Sequence, residues 1–154
     1  MKLRPVEHAD LDWFFEHQQD PEANVMAAFT AKNPKDRGVF NHHWSSILSD
    51  PDVTVRTIEQ DGKPVGNVMA YTSDDGVEIG FWTDRAYWGQ GVTTSAVDEF
   101  LQEITTRPIR ARVVTDNIGS QKVLERRGFT VVGEVDGFAN ARAAVVKEYI
   151  MELA

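Results

Sequence analysis

The spacing of apolar residues changes several times along the chain, and each change predicts a different element. Residues 3–6 read as a short strand. Asp10 is a candidate cap for a helix over residues 11–19, with Trp13 and Phe14 among its apolar positions, and Asp20-Pro21 stops it. Asn33-Pro34 suits the start of a second helix reaching Ile47 and Leu48, which Asp50-Pro51 ends. Residues 22–32 fit no single period.

From Val53 the period is two: Val53, Val55 and Thr57 alternate with Thr54, Arg56 and Ile58. Asp61-Gly62 is a hairpin signal and residues 63–71 return. Asp75-Gly76 signals a further turn before a strand over residues 77–83. From Val92 the period becomes helical, with Val92, Ala96, Val97, Phe100, Leu101 and Ile104 at three- and four-residue steps. Arg107-Pro108 breaks that helix, and Ile109, Ala111, Val113 and Thr115 alternate as a strand. A short helix over residues 118–127 ends at Gly128. Residues 129–135 form a strand, and Val145, Tyr149, Met151 and Leu153 share one face of a last strand that also holds Lys147. The order is strand, two helices, three hairpin-linked strands, helix, strand, helix, two strands. It predicts one mixed α/β domain over residues 1–154, with an antiparallel meander and a later strand–helix–strand unit.

Composition narrows the function classes. The 154 residues are 42% apolar and 26% charged, an ordinary balance for a protein with a packed core. No apolar run is long enough to span a bilayer, and the N-terminus lacks the apolar stretch of a secretory signal, so no membrane partner and a cytoplasmic location are expected. Cysteine is absent, which removes disulfides, thiolate metal sites and a cysteine nucleophile. A net charge of -8 argues against nucleic acid as a partner and is compatible with a cationic acceptor or with solubility alone. His42 and His43 are adjacent, so on a helix they point in different directions; no metal site is expected.

Trp88-Gly89-Gln90-Gly91-Val92-Thr93-Thr94 lies between a strand and an amphipathic helix. Glycines there permit a tight turn, and free N–H groups at the helix start favour an anion. A P-loop would need lysine and a hydroxyl after the last glycine, and a dinucleotide fingerprint a third glycine; neither is present. The loop suits a phosphate cradle or simply a turn.

Three segments then carry a resemblance: Glu78-Ile79-Gly80-Phe81-Trp82, Tyr87-Trp88-Gly89-Gln90-Gly91, and the run from Asp116-Asn117-Ile118-Gly119-Ser120 to Gly128-Phe129. In order and spacing they resemble the GNAT superfamily of N-acetyltransferases, and most nearly its RimJ/RimL-like branch, which Leu3-Arg4-Pro5 and Asp20-Pro21-Glu22 also resemble. The resemblance implies the GNAT acyl-CoA N-acyltransferase fold, a mixed, mostly antiparallel, V-shaped central sheet flanked by helices, with acetyl-CoA as co-substrate in the cleft and no metal. It implies that Phe81, Trp82 and Thr83 pair with the pantetheine arm, and that Trp88, Gly89, Gln90, Gly91, Val92, Thr93 and Thr94 surround the pyrophosphate. Asn117 matches a cofactor contact, and Lys122 a position near the adenosine phosphate. Thr93 stands where the family usually has glycine or alanine. Thr94 is a candidate cap for the helix start.

Acyl transfer to an amine needs a neutral amine, a donor for the developing oxyanion and a proton for the departing thiolate. Glu78 is the candidate general base, directly or through water, against the alternative of an ion-paired strand glutamate. Ser120 is the candidate proton donor; it and Asn117 are also good capping residues. Trp13, Phe14, Phe15, Phe29, Phe40 and Trp44 read as core before they read as an acceptor pocket. Arg107, Arg110 and Arg112 form a basic group suited to a solvated edge, and the loop around Arg142 is implied to flank the acceptor site. The expected activity is transfer of an acetyl group to a primary amine, of a protein N-terminus or a small molecule. The alternatives are a non-catalytic acyl-CoA-binding regulatory module and a ligand-free interaction domain. The branch often forms homodimers, and that option stays open.

Overall fold

The computed structural model describes residues 1–74 and 76–154; Asp75, half of one expected turn signal, lies outside the described residues. Seven strands, β1 (Lys2–Pro5), β2 (Thr54–Gln60), β3 (Lys63–Ser73), β4 (Gly76–Thr83), β5 (Ile109–Val114), β6 (Thr130–Ala139) and β7 (Ala144–Leu153), form one sheet in the order β1-β2-β3-β4-β5-β7-β6. Every neighbouring pair is antiparallel except β4 and β5. The helices are α1 (Asp10–His17), α2 (Pro21–Ala27), α3 (Arg37–Ser49), α4 (Val92–Glu103) and α5 (Ile118–Arg126).

The two faces of the sheet are covered by different helices. Val92, Ala96, Val97, Phe100 and Leu101, the stripe read from the sequence, are the buried positions of α4. They join Ile58, Val68, Ile79, Ile109, Leu124 and Met151 in the main core. The other face carries α1 and α3, where Leu11, Phe14, Phe40 and Trp44 pack with Val55. Of the six N-terminal aromatics, Phe14, Phe40 and Trp44 are buried, Trp13 and Phe29 are exposed, and Phe15 is half-buried.

The N-terminal third departs from its expected layout. Asp20-Pro21 does end α1, but it also begins α2 across residues that showed no single period. Asp20 accepts a hydrogen bond from the Glu22 N–H at 3.0 Å, and Pro21 occupies the first turn, where its missing N–H costs nothing. Helix α3 begins at Arg37 rather than at Pro34. Asn33 spends its side chain on the Lys35 N–H in a local turn, and Asp36 caps the helix by accepting from Val39. Asn33 and Asp36 are both competent cap residues, and Asp36 holds the cap of α3.

One feature of the sheet makes the site. Strands β4 and β5 are in register at Val77–Ile109 and Glu78–Arg110, and the pairing stops there. Beyond it β4 continues to Thr83 and β5 to Val114, so the two strands diverge and leave a wedge-shaped opening in the sheet. Among the described residues no helix is long and apolar enough to cross a membrane.

Candidate functional site

The wedge holds two adjoining cavities. The first, about 460 Å³, lies on the loop side, bounded by the end of β4, the glycine loop, the start of α5 and the inner side of α2. The second, about 390 Å³, lies against the sheet between β4 and β5. Ala27, Phe81, Asn117 and Ser120 line both, so the two communicate at the start of α5.

The loop-side cavity brings together most of the residues singled out in the sequence. Phe81, Trp82, Thr83, Trp88, Gly89, Gly91, Thr93, Thr94, Asn117, Ser120 and Lys122 line it. Gln90 and Val92 do not. The Gln90 side chain donates back to the Ala86 carbonyl at 2.9 Å, and Val92 is buried in the core as the first residue of the α4 stripe. Asp116, Val123 and Arg126 also line the cavity, with Ala23, Met26 and Ala27 from α2. The α2 residues carried no signal in the sequence, because their contribution depends on where an unexpected helix docks.

The glycine loop has the geometry an anion cradle requires. Gly89 and Gly91 have φ of 74° and 79°, the left-handed region that β-carbon-bearing residues avoid. A β-carbon at either would meet no protein atom within 4 Å, so the space before the loop is open. Gly91 is the N-cap of α4 and supplies no capping side chain, which leaves the first amides of the helix available to an external acceptor. This corrects the expected role of Thr94, which lies inside the first turn and does not cap it. Thr93 turns its hydroxyl to that of Thr83 at 2.8 Å, and the Trp88 indole N–H donates to the Thr83 carbonyl at 2.8 Å. These contacts tie the loop to the end of β4. Lys122 and Arg126 add positive charge to the same cavity.

Two further features suit an extended, amide-containing ligand beside β4. Past Glu78 the β4 edge has no strand partner on its β5 side among the described residues, so its peptide groups can pair with an added strand-like chain. The Trp82 indole N–H is buried with no hydrogen-bond partner among the described residues, a donor without an acceptor. Loop amides, a free strand edge and cationic side chains in one cavity suit an extended ligand that carries both phosphates and amides.

At the start of α5, Asn117 is the N-cap and accepts from the Ser120 N–H at 3.2 Å. That role accounts for its side-chain oxygen. Ser120 lines both cavities, at their junction.

The sheet-side cavity is mixed in character. Phe29, Ile79, Phe81 and Leu124 give it apolar walls, and Tyr71, Arg112 and Glu148 join Asn117 and Ser120 as its polar members. Glu78 sits behind that wall, 6% exposed, on the face of β4 that neighbours Tyr71 of β3. Its carboxylate accepts from the Tyr71 hydroxyl at 2.9 Å and the Ser73 hydroxyl at 3.4 Å, and lies 3.5 Å from the Arg112 guanidinium. Burial, and then the neighbouring Glu78 charge, push the Tyr71 phenol up to about 12, so Tyr71 stays protonated and remains a donor. Of the three arginines read as a solvated edge, Arg112 enters this network, Arg110 pairs with Glu152 at 2.8 Å, and Arg107 donates to backbone carbonyls near the end of α4. Tyr71 and Glu148 were not legible as site residues, because their strands meet those of Glu78 and Arg112, four strands in all, only through the sheet register.

Helix α2 forms the roof, and two arginines hold it. Arg85, after β4, pairs with Asp20 at 2.7 Å and with Glu22. Arg142, from the turn between β6 and β7, pairs with Asp116 and donates to the Val25 carbonyl at 2.8 Å. The ring of Phe29 packs against Gly137 of β6, where a β-carbon would approach it to 2.9 Å.

A family model described as an acetyltransferase (GNAT) domain matches residues 1–130. A 55-residue stretch is 40% identical to a relative named Probable N-acetyltransferase YjcK, from Bacillus subtilis (strain 168), and covers 33% of this chain and 30% of that protein. The fold is similar to that of a ribosomal-protein-alanine N-acetyltransferase from Brucella melitensis, with a TM-score of 0.80, 18% identity and 99% of each chain covered. It is also similar to that of a GNAT superfamily phosphinothricin acetyltransferase from Sinorhizobium meliloti in complex with AcCoA. There the TM-score is 0.81, the identity 16%, and 99% of this chain and 86% of that one are covered.

Proposed function

This chain belongs to the GNAT acetyltransferase family, and from that premise and the geometry of the cleft we propose that it transfers an acetyl group from acetyl-CoA to a primary amine. The observation that carries the reading is the junction of the two cavities at Ser120: a glycine loop with an uncapped helix start and a free strand edge on one side, a carboxylate-bearing pocket on the other. The thioester supplies an activated acyl carbon, so no covalent enzyme intermediate is needed. The amine nitrogen forms its bond to that carbon as the carbon–sulfur bond breaks, and the sulfur leaves with a proton.

On this reading the residues divide the work. The amides at the start of α4 hold the pyrophosphate, with Lys122 near the adenosine phosphate. The β4 edge at Phe81, Trp82 and Thr83 aligns the pantetheine arm and places the thioester near Ser120. The Ser120 hydroxyl gives the thiolate its proton. Glu78 takes the proton that the acceptor ammonium must lose, through water, since its own oxygens are held by Tyr71, Ser73 and Arg112. Within the family, placement in the RimJ/RimL-like branch is supported by the similarity to a ribosomal-protein-alanine N-acetyltransferase. The acceptor spans a wider range among the relatives, since another is named for phosphinothricin.

The test is calorimetry with acetyl-CoA followed by free-thiol release with a panel of amines. Binding and amine-dependent thiol release are expected. Binding without release would support the acyl-CoA-binding regulatory module instead, and no binding at millimolar acetyl-CoA would end both readings.

A further inference from the structure

The sheet-side cavity has an uneven set of charges. Two carboxylates, Glu78 and Glu148, stand near one cation, Arg112. Arg112 lies 3.5 Å from the Glu78 carboxylate, which also takes the Tyr71 and Ser73 hydroxyls. Glu148 lines the cavity itself and has no ion-pair partner within 4.0 Å among the described residues. It sits on β7 opposite Val114 of β5 and Val135 of β6, so neither strand sets a charged residue directly across from it. The charged and titratable groups that face it are Arg112, Glu78 and Tyr71. The rest of the wall is largely apolar, with Phe29, Ile79, Phe81 and Leu124.

A half-buried carboxylate without a partner, in a pocket otherwise charge-balanced, lacks one positive charge. A monocation supplies it; a zwitterion does not, because it brings no net charge and its own carboxylate would compete with Glu78, 3.5 Å away, for Arg112. We propose that Glu148 is the acceptor-binding carboxylate of this site and selects a primary ammonium on an uncharged stem over an amine that also carries a carboxylate. The inference rests on the acyl-transfer reading and adds to it a specificity-determining residue and a substrate class. Glu148 receives the ammonium, the apolar wall takes the stem, and the nitrogen is held beside Ser120 at the cavity junction.

A pH dependence follows. Burial raises the Glu148 carboxyl above its ordinary value, Glu78 pushes in the same direction, and Arg112 opposes them. The ammonium site exists while Glu148 is ionised, so acceptor affinity falls as pH drops through this raised value. That loss comes at higher pH than for an ordinary exposed glutamate.

The experiment uses the full chain, saturating acetyl-CoA, and butylamine and 4-aminobutyrate as probes, with thiol release as the readout. Wild type is expected to prefer butylamine over 4-aminobutyrate by at least about 10-fold in kcat/KM, the size of one lost charge-assisted contact. Glu148→Gln is expected to raise the KM for butylamine by about 10- to 100-fold and to remove the acid limb from the pH profile of 1/KM. The KM for acetyl-CoA should stay unchanged, and Glu148→Asp should recover part of the loss. Equal use of butylamine and 4-aminobutyrate by wild type overturns the inference without needing the variant to fold. So does an unchanged butylamine KM in Glu148→Gln, and in both cases acyl transfer itself stands. If wild type binds acetyl-CoA and releases no thiol with any amine, the acyl-transfer reading falls and takes this inference with it.

Discussion

At Gly91 the backbone sits at φ 79°, and the next residue starts α4. A β-carbon there meets no protein atom, so the cost of a substitution is backbone strain and not a clash inside the chain. Gly91→Ala should therefore destabilise the protein by about 1–2 kcal/mol. It should weaken acetyl-CoA binding further by turning the loop amides; denaturant melts and calorimetry read the two effects separately, and unchanged affinity would argue against a cradle. Asp10 is the counterpart on the other side of the sheet. It is 2% exposed and accepts from both terminal nitrogens of Arg4 at 2.8 and 2.9 Å, from the Glu7 N–H at 2.8 Å and from the Thr57 hydroxyl at 2.7 Å. Burial alone would raise its pKa, but these donors outweigh burial and hold it below the usual carboxylate value. A depressed carboxylate stabilises the fold above its unfolded pKa, about 3.9, and that contribution is lost as pH falls through the lower folded value. Asp10→Ala leaves Arg4 hydrogen-bonded to Glu59, at 2.9 Å, and leaves the Glu7 N–H and Thr57 hydroxyl without their acceptor; it should cost about 1–3 kcal/mol, measured by denaturant titration at neutral pH, with the difference from wild type shrinking in acid.

At the scale of elements, α2 shows how a short helix can serve a site without being stable alone. Seven residues are too few to hold a helix in water. It persists through the Asp20 cap and through the arginines at its two sides, Arg85 after β4 and Arg142 before β7. These surface pairs contribute little to global stability, but they span the two arms of the wedge. Arg142→Ala is expected to lower global stability by less than about 1 kcal/mol. It should nevertheless increase amide exchange across Pro21–Ala27 and weaken acetyl-CoA binding, because Ala23, Met26 and Ala27 line the cavity. Unchanged exchange in that segment would show that the roof is held by packing on the sheet alone. The contrast with α4 is instructive: its apolar stripe was legible because five buried residues recur at helical spacing, whereas α2 has only Ala23 and Asn24 buried and so carries almost no period.

For the whole molecule, the cleft exists because β4 and β5 part after two registered positions while the rest of the sheet stays paired. The two arms are joined by the sheet at one end and by the α2 roof at the other. A ligand that fills the wedge should therefore stabilise the molecule as a unit. At acetyl-CoA concentrations about 100-fold above Kd, linkage gives about 2.7 kcal/mol, equivalent to a rise of roughly 5–10 °C in Tm. Scanning calorimetry with and without acetyl-CoA measures it, and an unshifted Tm at saturating ligand would contradict binding in the wedge.

The sequence by itself determined the elements with a strong period, which are the meander strands, α4 and the strand–helix–strand unit, and it located the glycine loop together with Asn117 and Ser120. Those features are local: a left-handed turn, a cap and an amphipathic stripe are specified by residues a few positions apart. Only the tertiary structure decided what the sheet-side cavity and its back wall contain. Tyr71, Glu78, Arg112 and Glu148 come from four strands, and which of their side chains meet depends on register and on the point where β4 and β5 separate. No spacing along the chain encodes that, because strand register is a property of the assembled sheet.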